Sequence, residues 1–441
     1  MHDDQASSKR QAIKLEMCRP SLCPSRVPRN FSSTMTSTTT MAYDIHVVRK
    51  AKISEHSTIS ISSSLPPLPE NKIRAIPRIV TLSANNLSYA KGGHIMHWWD
   101  AFPLPSHLPS PHNDATQYGI VPVWGYAEIL ESKIADVVQG SMIWGLWPSY
   151  NIPVDLELRP AFGLEGHHSD VSRHRDKLWK FYNHYVVASD KIRYRDLDEK
   201  SVERMALEAN VLPAAGWMLS RFVLGTSGPV INPSGLLEGW SMEDAGLSKA
   251  VVVSLSASGR TARAFAHALA RERRESVTGL LGFLAVSSST DGSFIPEIAT
   301  FPTQVIQYAD LQSSHVGDWI ANLAPDKIVV LDFGGRGDSL EQLQHTLQEC
   351  LPGTKVTIIG IGGEAKAQSP EEIADVMQRR AKLTNRMQMN TARIQETAIA
   401  KLGAEKFFAE KDEACKVFLE HGGLKGLKLQ WGKRCERRQW D

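Results

Sequence analysis

The chain has 441 residues, which is more than one ordinary hydrophobic core accommodates and indicates about two domains with tails. Hydrophobic residues make up 42% and charged residues 22%, as in a folded globular protein, so neither a disordered nor a membrane-embedded chain is indicated. With 50 basic and 48 acidic side chains, the formal charge is only +2, a field too weak to indicate a nucleic-acid or anionic-membrane partner.

The cysteines also restrict the class of protein. Two of the five fall in the N-terminal stretch that we predict to be unfolded, so neither a disulfide framework nor a four-ligand zinc site is indicated. This usage is typical of a reducing, cytoplasmic compartment. The five residues are Cys18, Cys23, Cys350, Cys415 and Cys435.

Residues 1–41 are rich in Ser, Thr and Pro and are predicted to be a disordered leader, because they contain too little apolar surface to form a core. A mitochondrial presequence is the alternative, and the acidic residues Asp3, Asp4 and Glu16 argue against it. The C-terminal Arg and Lys cluster is interpreted as a solvated tail.

The front half alternates apolar and polar residues over 42–62 and 119–152, which predicts antiparallel strands that bend into a barrel at glycines. The segment IRAIPRIVTLSANNLSYA is predicted as a further strand region. Helices are predicted from His167 to Tyr185 and over the segment SVERMALEANVLPAAGWMLSRFVL. His167, His168 and His174 are therefore placed on a surface helix, where solvated side chains are favoured over a metal site.

The back half, from about residue 245, alternates short apolar strands with amphipathic helices, which predicts a parallel α/β sheet. KAVVVSL reads as a buried central strand, followed by a turn of small residues and the helix ARAFAHALARE. Two more strands, DKIVVLDFGG and TKVTIIGIGG, end in glycines at the sheet edge where an open α/β fold receives its ligand. The three glycines of a G-x-G-x-x-G fingerprint are absent, so a plain crossover with a serine cap stays open.

The order of these segments resembles the quinone-reductase-like medium-chain dehydrogenases/reductases, and SANNLSYA, HWWDAFP, PVWGYAEI and SLSASGRTA together are similar to a divergent, mainly microbial branch of that superfamily. The resemblance covers about residues 45–420. It implies a Rossmann-type parallel sheet domain plus a mainly β GroES-like barrel domain. The expected divisions are a leader (1–41), a GroES-like substrate domain with a helical insertion (42–200), a Rossmann-like nucleotide-binding domain (201–370) and a C-terminal helical segment returning to the front domain with a basic tail (371–441).

The resemblance implies a nicotinamide cofactor and a set of residues that contact it. No acidic residue follows the second strand of the sheet to hold a ribose diol, which disfavours NAD, whereas Arg260, Arg263, Arg273 and Arg274 are candidates for the 2′-phosphate of NADP. The predicted cofactor residues are Ser256, Ala257, Ser258, Gly259, Arg260, Thr261, Asp332, Gly334, Gly335, Gly360 and Gly362.

The front half from 45 to 245 has no cysteine, so a zinc mechanism is disfavoured and a zinc-independent reductase is expected. In such an enzyme a hydrogen-bond donor stabilises the oxygen that gathers charge, and Asn86 and Tyr89 are the predicted catalytic residues; an Asx-rich turn is the alternative. The expected function is NAD(P)H-dependent reduction of an activated alkene, quinone or carbonyl in a small hydrophobic molecule, with a homodimer left open. The alternative is a binding or accessory protein on a scaffold that has lost hydride chemistry.

Overall fold

The computed structural model describes residues 15–18, 41–188, 192–272, 279–426 and 429–432. The strands are β1 Leu15–Cys18, β2 Met41–Arg49, β3 His56–Ser63, β4 Lys72–Thr81, β5 Tyr118–Gly119, β6 Pro122–Ser132, β7 Met142–Pro148, β8 Val154–Pro160, β9 His167–Asp170, β10 His184–Val187, β11 Ala250–Leu255, β12 Gly282–Ser287, β13 Thr303–Gln307, β14 Lys327–Asp332, β15 Lys355–Gly360, β16 Arg386–Gln388 and β17 Leu429–Gly432.

The helices alternate with the strands mainly in the second half of the chain. They are α1 Ala84–Gly92, α2 Glu199–Glu208, α3 Leu212–Met218, α4 Met242–Ala245, α5 Arg260–Glu272, α6 Ser314–Asn322, α7 Ser339–Cys350, α8 Pro370–Ala381, α9 Thr391–Leu402 and α10 Ala404–Glu420. No helix in the described residues is long and apolar enough to cross a bilayer.

The front domain is a closed barrel with the strand order β10-β7-β6-β4-β8-β9, and its interior is filled by alternate side chains such as Ile73, Ile129 and Trp147. Gly125 and Gly145 face each other across β6 and β7. A Cβ at Gly125 would collide with the Ile79 carbonyl oxygen of β4, so the close approach of β4 and β6 requires glycine. The predicted barrel is confirmed.

The second domain is a six-stranded parallel sheet with the order β13-β12-β11-β14-β15-β16. In sequence terms this is the order 3-2-1-4-5-6 of a Rossmann-type fold, so the predicted architecture is confirmed. Along β11, Val252 packs into the core on one face while Val251 and Val253 pack into the core on the other. A strand buried on both faces explains why this segment is a continuous apolar run. The sixth strand follows residue 370, where the sequence analysis ended the domain.

Helices α9 and α10 follow the sixth strand of the sheet. Phe407 is fully buried against Trp217 and Phe222. Phe408 instead contacts the rings of His167 and His184 on the barrel, with centroids 4.8 and 5.1 Å apart. The last helix therefore joins the two domains through adjacent aromatic residues.

Two sequence-based expectations about local structure are wrong. His167 and His168 lie on β9, not on a helix, and His168 is almost completely buried, with its Nε2 3.2 Å from Asp136. The segment SANNLSYA forms helix α1 and not a strand. Ser83 caps this helix in a reciprocal pair with Asn86, which explains why a polar run after a strand begins a helix.

Candidate active site

The candidate cofactor site is the turn between β11 and α5, at the centre of the parallel sheet. Ser256 has φ +64°, a left-handed conformation that is more often occupied by glycine, so it makes the sharp turn with a side chain in place. Ala257 is buried, and its N–H donates to the Val286 carbonyl oxygen at 2.9 Å. The Gly259 N–H donates to the Ser256 carbonyl oxygen at 2.9 Å and so closes the turn. A Cβ at Gly259 would lie 3.1 Å from that oxygen.

The N-terminus of α5 offers unused backbone donors. The N–H groups of Ser258, Arg260, Thr261 and Ala262 find no acceptor anywhere in the described part of the chain, since the first helical bond runs from Arg263 N–H to the Gly259 carbonyl oxygen. Free amides and the positive end of the helix dipole together attract a phosphate group. The predicted pyrophosphate turn thus has the expected strand-turn-helix geometry and lies at the carboxyl edge of the sheet.

Arg260 begins the helix and is 4% exposed. Its two terminal nitrogens both lie 3.3 Å from the Leu82 carbonyl oxygen of the barrel domain, and its Nε has no partner within the described residues. No carboxylate of those residues pairs with the guanidinium, and burial lowers its pKa from the ordinary value to about 10. A buried cation without a counter-charge beside free amides is what an anion site requires before its anion binds.

The other arginines proposed for a 2′-phosphate are placed differently. Arg263 donates to the Ser258 and Lys425 carbonyl oxygens at 2.9 and 2.8 Å, so its guanidinium supports the turn. Arg273 and Arg274 lie outside the described residues. Arg336, which the sequence analysis did not propose, stands 5.6 Å over the Tyr308 ring, with Nη2 3.5 Å from Ser288 Oγ after β12.

Ser287 takes the place of the acidic ribose-binding residue at the end of β12. Its hydroxyl donates to Ser258 Oγ at 2.9 Å and accepts the Ser289 N–H at 3.3 Å. This strand end is therefore linked by hydroxyl groups to the turn after β11. Such a neutral, hydroxyl-rich edge has no charge to repel a 2′-phosphate, in agreement with the sequence-based preference for NADP.

The glycines after β14 and β15 are required by contact between two loops. A Cβ at Gly334, whose φ is +118°, would lie 2.5 Å from the Gly363 carbonyl oxygen, and one at Gly362 would lie 2.5 Å from that of Phe333. Buried Asp332 holds the first loop, since one carboxylate oxygen accepts the N–H groups of Gly334 and Gly335 at 3.0 and 2.7 Å. Gly335 lines the cavity that is described in the next paragraph. Gly360, the last residue of β15, packs directly against the Arg386 side chain.

A cavity of about 330 Å³, the rim cavity, opens where these loops meet the barrel domain. Its lining includes Ser88, Lys91, Trp98, Gly335, Ser339 and Gly363. Lys91 Nζ donates to the Glu364 carbonyl oxygen at 3.1 Å and to Gln368 Oε1 at 2.7 Å. Burial lowers the pKa of Lys91 to about 8, so its ammonium group gives up a proton more readily than an exposed lysine does.

The family model "Protein of unknown function (DUF2855)" matches residues 80–439. The chain belongs to this DUF2855 family. None of the curated proteins searched matches it.

Two solved structures are among those similar to this DUF2855 chain. CurA of Vibrio vulnificus in complex with NADPH is 8% identical, with a TM-score of 0.46, over 86% of this chain and 89% of that one. A mutant form of the enoyl thioester reductase of Candida tropicalis is 10% identical, with a TM-score of 0.45, over 88% of this chain and 91% of that one.

In the DUF2855 chain, Asn86 and Tyr89 lie on α1 but away from the lining of the rim cavity. The Asn86 side chain accepts the Ser83 N–H at 2.8 Å and donates to the Pro122 carbonyl oxygen at 2.9 Å. Tyr89 is 2% exposed, and its hydroxyl accepts hydrogen bonds from Trp124 Nε1 and Asn85 Nδ2, both at 2.7 Å. Burial raises the Tyr89 pKa. Their catalytic role stays a prediction.

The core of the front half of this family member contains an aromatic cluster, which we define as Tyr89, Trp98, Trp124 and Tyr182. Tyr89 lies 4.7 Å from Trp98 and 6.0 Å from Tyr182, as ring centroids, and all four rings are buried. Ala392, at the start of α9, packs in the same core. Nothing in the spacing of these four residues along the sequence indicates that they meet.

Proposed function

We propose that the protein is a zinc-independent, NADP(H)-dependent oxidoreductase that reduces an activated alkene, quinone or carbonyl in a small hydrophobic molecule. The observation that carries the proposal is the pairing of free amides at the start of α5 with the unpaired cation of Arg260. Together they fit a diphosphate at the switch point of a 3-2-1-4-5-6 sheet.

In this proposal the predicted residues 256–261 bind the diphosphate of the nucleotide. Arg336 and the hydroxyl groups at the end of β12 face its adenosine half, where the cation favours a 2′-phosphate over a diol. The Gly334 and Gly362 loops shape the floor of the rim cavity. NADPH would supply a hydride to the substrate.

The rim cavity is the proposed position of the reacting groups. Lys91 holds a proton at Nζ at neutral pH and directs its N–H groups toward oxygen atoms, which suits it to stabilise the oxygen that gathers charge during reduction. Tyr89 and Asn86 would support this cavity from behind by fixing α1 to β6. In this proposal Tyr89 and Asn86 are therefore positioning residues and not the catalytic residues that the sequence predicts.

The decisive experiment is calorimetric titration of the full chain with NADPH and NADH, followed by measurement of NADPH oxidation with a panel of enones, quinones and aldehydes. We expect saturable NADPH binding, weaker NADH binding and turnover of at least one acceptor. Arg336→Gln should weaken NADPH binding and leave NADH binding unchanged, whereas the exposed Arg271→Gln on α5 should change neither. If neither nucleotide binds, the proposal is wrong.

One observation favours a second candidate, a nucleotide-binding protein without hydride chemistry. Asn86 and Tyr89, the predicted catalytic donors, are both engaged in hydrogen bonds within the front half and are absent from the lining of the rim cavity. For such a protein, NADPH would bind with the expected preference while no member of the acceptor panel is reduced. Any turnover that the Lys91→Met variant loses would exclude this candidate.

A further inference from the structure

A second cavity, of about 430 Å³, lies on the outer side of the barrel and is separate from the rim cavity. We call it the barrel-side cavity; it is bounded by strands β6, β7 and β10, by the segment that links α2 to α3, and by α10. Its lining includes Tyr126, Trp144, His184, Asn210, Phe408 and Cys415. Nothing in the proposed reaction uses these residues.

Several side chains that line the barrel-side cavity carry aromatic rings. Trp144 stacks on Trp124 at 4.9 Å, and Phe408 lies 5.1 Å from the His184 ring. The histidines present uncharged rings, because burial lowers the pKa of both His184 and His167, which are joined nitrogen to nitrogen at 3.0 Å. Flat, uncharged rings in the lining favour a flat aromatic ligand.

One polar atom among these rings lacks a partner. Asn210 is 8% exposed; its Oδ1 accepts the Leu212 N–H at 2.9 Å and so caps α3, while its Nδ2 has no acceptor within the described residues. An unsatisfied buried donor lowers stability unless a bound molecule provides an acceptor. The amide therefore indicates a ligand with a hydrogen-bond acceptor such as a carbonyl oxygen.

The charged side chains around the cavity neutralise one another. Lys411 is 3.0 Å from Asp412, and Glu208 is 3.7 Å from Arg204, measured between nitrogen and oxygen atoms. Burial raises the pKa of Cys415 to about 11, so it stays a protonated thiol at neutral pH and does not act as a nucleophile. The site thus has no surplus charge that would select an ion and no group that would capture a ligand covalently.

We propose that the barrel-side cavity binds a neutral, planar aromatic carbonyl compound, with the carbonyl oxygen accepting from Asn210 Nδ2 and the rings held between Trp144 and Phe408. This site is independent of the NADP(H) site, since it shares no lining residue with the rim cavity. A ligand there contacts the barrel and the C-terminal helix α10 together.

The test uses two planar probes that differ only in the carbonyl group, 9-fluorenone and fluorene, titrated calorimetrically into the full chain. One hydrogen bond to a buried amide corresponds to about a tenfold difference in Kd, so fluorenone should bind about tenfold more tightly. Asn210→Asp keeps the acceptor that caps α3 but removes the donor. The Asn210→Asp variant should bind fluorenone with the same Kd as fluorene.

Two further variants keep the test independent of folding. Asn322→Asp makes the same change at an exposed position of α6 and should leave both affinities unchanged. Ala214→Trp fills the cavity and should exclude both probes while NADPH binding, measured in the same samples, is retained. Absence of fluorenone binding, equal affinity for the two probes, or undiminished binding by Asn210→Asp would overturn the proposal, and none of these results bears on the NADP(H) site.

Discussion

Replacement of Arg260 by methionine separates binding from stability at the candidate cofactor site. The fall in the Arg260 pKa from its ordinary value to about 10 corresponds to a burial cost of about 3 kcal/mol for the charged form. The two hydrogen bonds to the Leu82 carbonyl oxygen, each at 3.3 Å, offset about 1.5 kcal/mol of that cost. Methionine is of similar length and carries no charge, so Arg260→Met should be as stable as the original chain or more stable by about 1–2 kcal/mol.

The same variant should lose nucleotide affinity. A charge-assisted contact to a phosphate contributes about 1.5–3 kcal/mol, so the Kd for NADPH should rise about 10- to 100-fold. Urea denaturation and calorimetric titration measure the two quantities, and Arg271→Met, on the exposed end of the same helix, is the matched control. A variant that unfolds more easily yet binds NADPH normally would show that Arg260 is only a clamp between α5 and the barrel, and would refute the reasoning.

Three further predictions follow from the same geometry. Gly259→Trp should abolish NADPH binding with little change in the circular dichroism spectrum, because the indole covers the free amides; retained affinity would contradict the position given to the diphosphate. Tyr89→Phe should lower the free energy of unfolding by about 1–3 kcal/mol, since two buried donors lose their acceptor, and should change kcat only in proportion to folded protein. A much larger fall in kcat would instead support the predicted catalytic role of Tyr89. Lys91 has a folded pKa of about 8, below its ordinary 10.5, so burial of its charged form costs stability in full below pH 8 and the cost is relieved as pH rises to 10.5. Measured by urea denaturation, the original chain should therefore gain stability relative to Lys91→Met across that interval, and a constant difference would argue against a buried ammonium group.

The parallel sheet could be predicted because its physical cause is local. A strand covered on both faces needs a continuous apolar run, and β11, β14 and β15 each end at the small or glycine residues that their turns require. The closing of the front strands into a barrel could be predicted because glycines such as Gly125 mark positions where the backbone of another strand approaches closely.

The errors and omissions concern contacts between residues far apart in sequence. His167 and His168 looked solvated because polar residues surround them, yet β9 buries His168 beside Asp136. Arg336 was missed as a candidate for nucleotide binding because only the fold brings it to Ser288, 48 residues away along the chain. The aromatic cluster likewise depends on a packing arrangement that no periodic pattern encodes.

The contact of Phe408 with the histidine rings of the barrel has a consequence for how this protein can be made. The first domain to leave the ribosome still lacks one side of its outer surface, and the missing side is supplied only when α10 has been synthesised. If the two halves are expressed as separate polypeptides, the front half should therefore aggregate. Addition of a peptide that spans α9 and α10 should restore its solubility.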